Sequence, residues 1–285
     1  MENIGILHPG EMGISIAVNA QRGGHAVFWV SEGRSNQTHQ RALRYSLADA
    51  RTLTEPCQTC SIILSICPPQ VAEEVANQVV AQSFKGLYAD LNAISPQRTA
   101  RIGKMMQECG ITFVDGGIIG GPAWDAGETW LYLSGNQAQR VADCFTSSKL
   151  QAQIIGQEIG SASALKMCYA AYSKGTTALL CAILAVAEDL DVRGALEQQW
   201  LREGSDLAEQ ASNRAAKVTA KAWRFASEME EIAATFTYSG LPDGFHQAAA
   251  EVYRRMAGFR GRSSEPPLTE VLDSLLGRVG TNRTS

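Results

Sequence analysis

The opening stretch of the chain constrains its fold more than any other. Ile4, Ile6 and Leu7 form a short apolar run, Pro9-Gly10 makes a sharp turn, and Gly13-Ile14-Ser15-Ile16-Ala17-Val18 continues with helix-compatible residues. A strand, a tight turn and a helix in that order bring unpaired backbone N–H groups and the positive end of a helix dipole to one point. Such a point suits a diphosphate. Gly10 lets a phosphate approach the backbone, and Gly13 lets helix and strand pack closely. A dinucleotide loop reads G-x-G-x-x-G, whereas here His8 takes the first position. A second apolar run over residues 25–30 falls where a βαβ unit needs its next strand. His8, Pro9, Gly10, Glu11 and Met12 are therefore the expected diphosphate contacts. The competing reading is an ordinary turn whose glycines serve packing alone.

Strand and helix signals then alternate. Apolar runs at 61–67, 86–91 and 112–115 read as strands, and 70–82 and 96–109 as helices. Residues 36–50 read as a polar helix, 130–133 and 152–155 as further strands, and 137–145 as a short helix. This alternation predicts a doubly wound α/β domain with a mainly parallel sheet. Ligands then lie beyond the C-terminal strand edges, near 9–12, 67–69, Asn92 and 115–121. Four glycines within residues 115–122 permit either close backbone approach to a ligand or a tight bend.

From Ser161 onward the pattern is helical: one long apolar helix over 161–190, then helices over 195–210, 212–236, 244–258 and 267–277. Residues 240–244 are a break, and the tail after Gly277 is expected to fray. The expected organisation is an α/β domain over 1–158 and an all-α domain over 159–285.

The net charge of −4 favours neither nucleic acid nor an anionic membrane as partner. No basic, apolar leader precedes the first strand, and the longest apolar run, 177–186, is too short to span a bilayer. Seven cysteines, an odd number, suggest reduced thiols in the cytoplasm. Cys57 and Cys60 form a lone C-x-x-C with no nearby histidine, so no metal is expected.

The segment Ser31-Glu32-Gly33-Arg34-Ser35 follows the second strand, where a dinucleotide fold meets the adenosine ribose. Ser31, Arg34 and Ser35 offer two hydroxyls and a guanidinium for a 2′-phosphate, which favours NADP over NAD. Glu32 is either the acid that would hold an unphosphorylated ribose or a solvated loop charge. Cys67, Pro68 and Asn92 complete the expected cofactor contacts.

In this order the landmarks resemble the β-hydroxyacid dehydrogenase and 6-phosphogluconate dehydrogenase superfamily. Pro9-Gly10-Glu11-Met12-Gly13 looks like the second half of its cofactor loop. Asp90-Leu91-Asn92 and Ser95-Pro96 match its segment after the fourth strand, and residues 115–121 loosely match its substrate loop. Gly160 to Lys166 matches the G-x-x-x-x-x-K that opens its long interdomain helix. The C-terminal part, from Trp223 to Phe259, looks like a branch with its own helical domain. Three positions depart from the pattern: His8 for glycine, Ile119 for a carboxylate-binding serine, and Tyr169-Ala170 for the usual asparagine.

The resemblance implies hydride transfer between nicotinamide and a small hydroxy acid or its keto form, in a homodimer. Lys166 would act as general acid/base, with Asn92 and Tyr169 assisting. Gly120 and Gly121 would bind substrate through their backbone, and Glu228, Glu231 and His246 would either reach it from the helical domain or serve as solvated helix charges and a loop histidine. Two alternatives are an imine reductase acting on C=N and a catalytically silent NADP-binding protein.

Overall fold

The computed structural model describes residues 1–262 and 264–278. It divides into two compact units, Met1–Met167 and Cys168–Ser285. The expected fraying after Gly277 lies, from residue 279 on, outside the described residues.

The first unit is built on eight strands: β1 (Asn3–Ile6), β2 (Ala26–Trp29), β3 (Ala48–Asp49), β4 (Ile62–Ser65), β5 (Leu87–Asp90), β6 (Thr112–Gly120), β7 (Thr129–Ser134) and β8 (Gln151–Gly156). They form one sheet in the order β3-β2-β1-β4-β5-β6-β7-β8. Every pairing is parallel except β6 with β7. The helices of this unit are α1 (Glu11–Arg22), α2 (Asn36–Arg44), α3 (Thr54–Thr59), α4 (Ala72–Ala81), α5 (Pro96–Glu108) and α6 (Ala138–Asp143).

Strict alternation along the central strands feeds two cores. Ile4, Ile6, Ile62, Leu64, Leu87 and Ala89 pack with residues of α1 and α6 on one face. Ile63, Tyr88 and Phe113 pack with Val75 and Val79 of α4 and Ile102 and Met106 of α5 on the other. A strand covered on both faces must be apolar throughout, and β4 and β5 are fully buried.

Three local expectations change. The helix predicted over 36–50 ends at Arg44, because residues 48–49 add a short edge strand to β2. Helix α3 was not expected. The glycine-rich stretch 115–120, read as a loop, continues β6 as strand paired to β7. Its glycines serve close packing: a Cβ on Gly116 would strike Leu91, and one on Gly117 would lie 2.7 Å from the Ala162 carbonyl oxygen.

The second unit is helical: α8 (Arg193–Arg202), α9 (Leu207–Val218), α10 (Ala222–Tyr238), α11 (Gly244–Arg255) and α12 (Leu268–Leu275). The helix expected over 195–210 breaks at Gly204, whose φ is +72°, and the one expected over 212–236 divides between α9 and α10. The unit boundary falls within α7 (Ser161–Asp189). At 29 residues this helix is long and apolar enough, by length and composition, to cross a membrane. It outruns the apolar run 177–186 at both ends, and 56 % of its most apolar window is buried in the protein, as in a core helix. In the second unit Arg214 of α9 donates to Ser173, Thr176 and Thr177 of α7, and Tyr253 of α11 donates to the Lys174 carbonyl.

Candidate functional site

The strand order reverses direction between β1 and β4, so the loops after these strands part and leave a crevice. The β1–α1 loop supplies one wall. Gly10 caps α1 with no side-chain hydrogen bond, so the first-turn N–H groups remain uncapped by side chains. The Gly10 N–H turns back to the His8 carbonyl at 2.8 Å, and the Ile14 N–H donates to Gly10 at 2.9 Å. A Cβ on Gly13 would collide with the His8 carbonyl oxygen, which makes glycine obligatory there. Gly10, by contrast, has nothing within 4 Å of a built Cβ, leaving space above the turn.

His8 and Arg34 meet at this point. Burial, with the nearby Arg34 charge, pulls His8 down to about 4, so it is neutral at pH 7. Its Nδ1 is buried without a partner, and so is Arg34 Nε. Burial lowers the Arg34 pKa, against a smaller opposing pull from Cys67. Among the described residues no carboxylate pairs with Arg34. Glu32 is exposed. The Ser35 hydroxyl caps α2, accepting from the Thr38 N–H at 3.3 Å. Arg41, which the sequence reading missed, donates to the Pro9 carbonyl at 3.5 Å.

The β4 loop is held by Asn92. Its Oδ1 accepts the Cys67 N–H at 2.6 Å, and its Nδ2 donates to the Ser65 hydroxyl at 3.2 Å. Asn92 is 2 % exposed, so its carbonyl oxygen and one amide hydrogen are spent on the protein. Pro68 and Pro69 follow Cys67, and Pro69 opens a short turn of 3₁₀-helix. The thiol of Cys67 is pushed up to about 12, chiefly by burial. Burial likewise raises Cys57 to about 12 and Cys60 to about 11. None of the three presents a thiolate.

Lys166 lies on the second turn of α7, beside β6. A Cβ on Gly117 would be 2.9 Å from the Lys166 Cβ. The start of this helix is fixed by Asp115. Its Oδ2 accepts the N–H groups of Gly160, Ala162 and Ser163 at 2.9–3.1 Å and the Ser134 hydroxyl at 3.0 Å, and Oδ1 accepts the Ser163 hydroxyl at 2.6 Å. The first residue of the expected substrate loop is thus the N-terminal cap of the lysine's helix. Burial raises the Asp115 pKa against these hydrogen bonds.

Gly120 has φ +117°, and the Gly121 carbonyl accepts the Thr129 hydroxyl at 2.8 Å. Ala123, two residues on, is tied to α1: its N–H donates to the Ser15 hydroxyl at 3.0 Å and its carbonyl accepts from Asn19 at 2.8 Å. Tyr169, three residues after Lys166 on α7, is 47 % exposed.

The other predicted residues belong to the second unit. Glu228 forms a partly buried ion pair with Lys174, whose ammonium also lies 4.6 Å from the Phe225 ring centre. Glu231 accepts, through its carbonyl, the Thr235 hydroxyl at 2.8 Å. His246 is buried between Phe236 and Phe245, with ring centres at 4.1 and 5.2 Å, and burial lowers its pKa against the pull of Asp243.

Residues 3–148 match the NAD binding domain of 6-phosphogluconate dehydrogenase, and residues 187–256 match a domain of unknown function, DUF1932. An uncharacterised 28.5 kDa protein of Methanothermus fervidus is 28 % identical over 159 residues, which are 56 % of this chain and 61 % of that protein. A solved conserved protein of unknown function, reported as structurally similar to 3-hydroxyacid dehydrogenases, is 25 % identical. The match covers 90 % of this chain and 97 % of that one, with a TM-score of 0.66. The 3-hydroxyisobutyrate dehydrogenase of Mycobacterium tuberculosis, solved with L-serine, shares the fold at a TM-score of 0.70 and 17 % identity, covering 96 % and 99 % of the two chains. With its glycine turn at the sheet's switch point and more than half its length matched, the chain belongs to the family of the NAD binding domain of 6-phosphogluconate dehydrogenase.

Proposed function

We propose that this protein is an NADP-preferring oxidoreductase acting on a small hydroxy acid or its keto form. The observation that carries the cofactor choice is Arg34, a half-buried guanidinium with a bare Nε and, among the described residues, no acidic partner. Such a cation is costly to leave unpaired, and a 2′-phosphate supplies the missing acceptor. His8, neutral beside it, and the open space over Gly10 fit a diphosphate crossing the β1–α1 turn. Titration of intrinsic fluorescence is expected to show tighter binding of NADPH than of NADH. Arg34→Ala is expected to cut that preference by about 10- to 100-fold, the worth of a charge-assisted hydrogen bond or two. An unaltered preference in the variant would remove Arg34 from cofactor selection.

Nicotinamide, when bound, supplies the hydride. The chain's own task is then to place the substrate and move one proton, and Lys166, held against β6, is the group proposed for it. A panel of hydroxy acids and cyclic imines with NADPH distinguishes carbonyl from C=N chemistry, and turnover of imines alone would overturn the hydroxy-acid assignment.

The protein is further proposed to be a homodimer through α7. Tyr172, Leu179 and Val186 repeat every seven residues on this helix and are 70 %, 44 % and 55 % exposed, a spacing that suits pairing with a second helix. Leu179→Glu is expected to convert a dimer into a monomer in sedimentation velocity. A monomeric wild-type chain would refute the proposal.

A further inference from the structure

At one register near the C-terminal edge of the sheet, four neighbouring strands each carry a polar residue. Ser65 pairs with Asp90, Asp90 with Asp115, and Asp115 with Ser134. All four are 0–1 % exposed. They lie on the face covered by α4 and α5, since Ile63, Tyr88 and Phe113, two residues earlier on β4, β5 and β6, pack there. Asp115 is fully supplied with donors at the start of α7. Asp90 is not. Its Oδ1 accepts the Asn92 N–H at 2.9 Å, while its Oδ2 is buried without a partner.

The groups around Asp90 are Ser65 and Cys67 from β4 and its loop, Tyr88 from its own strand, Asp115 from β6 and Arg98 from α5. The hydrogen bond to Asn92 and the more distant Arg98 favour the carboxylate. Burial, a bare oxygen and a second carboxylate in the adjacent register favour the neutral acid. Burial wins, with Asp115 adding to it, and pushes Asp90 up to about 7.

Asp90 reaches the crevice through a single residue. It holds the Asn92 backbone, and the Asn92 side chain holds the Cys67 N–H at 2.6 Å, on the turn that lines the switch point. A dinucleotide brings a doubly negative diphosphate to this edge of the sheet, and added negative charge disfavours a nearby carboxylate.

We propose that Asp90 is a proton-holding positioning residue of the dinucleotide site, kept as the neutral acid when the diphosphate is bound, so that cofactor binding takes up a proton. The inference rests on the dinucleotide reading of the crevice. Linkage requires the effect to be mutual: whatever raises the proton affinity of Asp90 on binding must tighten binding as pH falls.

The test is the affinity of NADH and NADPH between pH 6 and 9, with calorimetry in two buffers of different ionisation heat. NADH lacks the 2′-phosphate, so no phosphate of the ligand titrates near neutrality. Cys67, at about 12, stays protonated over this range, and any proton taken up by His8, which starts from about 4 and would also face the diphosphate, would persist in Asp90→Asn. For the wild type, Kd is expected to be level below about pH 7 and to rise above it by up to tenfold per pH unit, with net proton uptake at pH 8. Asp90→Asn, a neutral isostere that keeps an acceptor for Asn92, is expected to bind tightly up to pH 9 with no proton uptake. Affinity independent of pH in the wild type overturns the inference, and this arm needs no variant. So does a wild-type slope that persists in Asp90→Asn. Failure of both nucleotides to bind at any pH would instead overturn the dinucleotide reading itself, and this inference with it.

Discussion

Asp115→Ala is expected to lower stability by about 3–5 kcal/mol. The carboxylate receives five hydrogen bonds, three of them from backbone N–H groups of Gly160, Ala162 and Ser163 at the start of α7. Each buried donor left without an acceptor costs about 1–3 kcal/mol, and solvent entering the cavity recovers part of that. Loss of a helix N-cap alone accounts for about 1 kcal/mol. Asp115→Asn retains one acceptor oxygen but places an amide among donors, so its loss should be intermediate. Urea unfolding followed by tryptophan fluorescence reads both. A shift below about 1 kcal/mol for the alanine variant would show that α7 is anchored by something other than this carboxylate. A second consequence follows from position. Lys166 stands only three residues beyond Ser163, so a frayed first turn would displace the lysine, and turnover should fall even at temperatures where Asp115→Ala remains folded.

The second large effect is at the lysine itself. Lys166→Met keeps the stem and deletes the ammonium, and kcat is expected to fall by about 10²- to 10⁴-fold, the usual contribution of a positioned acid or base. Packing should survive, because the contact with β6 is made near the Cβ, opposite Gly117. Affinity for NADPH should therefore change little. Equal turnover in the variant would take Lys166 out of the chemistry, while a loss of NADPH affinity without a loss of kcat would reassign it to cofactor binding. The pair of experiments separates the two proposed roles, Asp115 acting through the fold and Lys166 acting on the substrate.

Much of the first unit was legible in order. Alternating strands and helices, Pro9-Gly10 as a turn and Gly13 as a packing glycine all emerge in the structure, because turn geometry and side-chain alternation depend on a few neighbouring residues. Arg34 stands out in the sequence as a candidate phosphate ligand from residue type and place after β2. Its isolation from carboxylates does not, since that depends on which loops converge with it. Gly204 was present as a helix breaker within 195–210 and went unread. Residues 115–120 were misjudged for a physical reason. Glycine has weak strand preference, and only the partner strand β7 and the close approach of α7 make it extended there.

By itself the sequence determined the doubly wound class, the helical second half and the glycine turn. These follow from periodicity and from backbone sterics, which act over a few residues. Only the tertiary structure decided which polar groups would be satisfied. Asp115 finds its backbone donors 45 to 48 residues further along the chain, Asn92 closes on Cys67 across two strands, and one oxygen of Asp90 is left bare. Hydrogen-bond satisfaction in a buried layer is a property of chain segments distant in sequence, and strand register and helix docking set it.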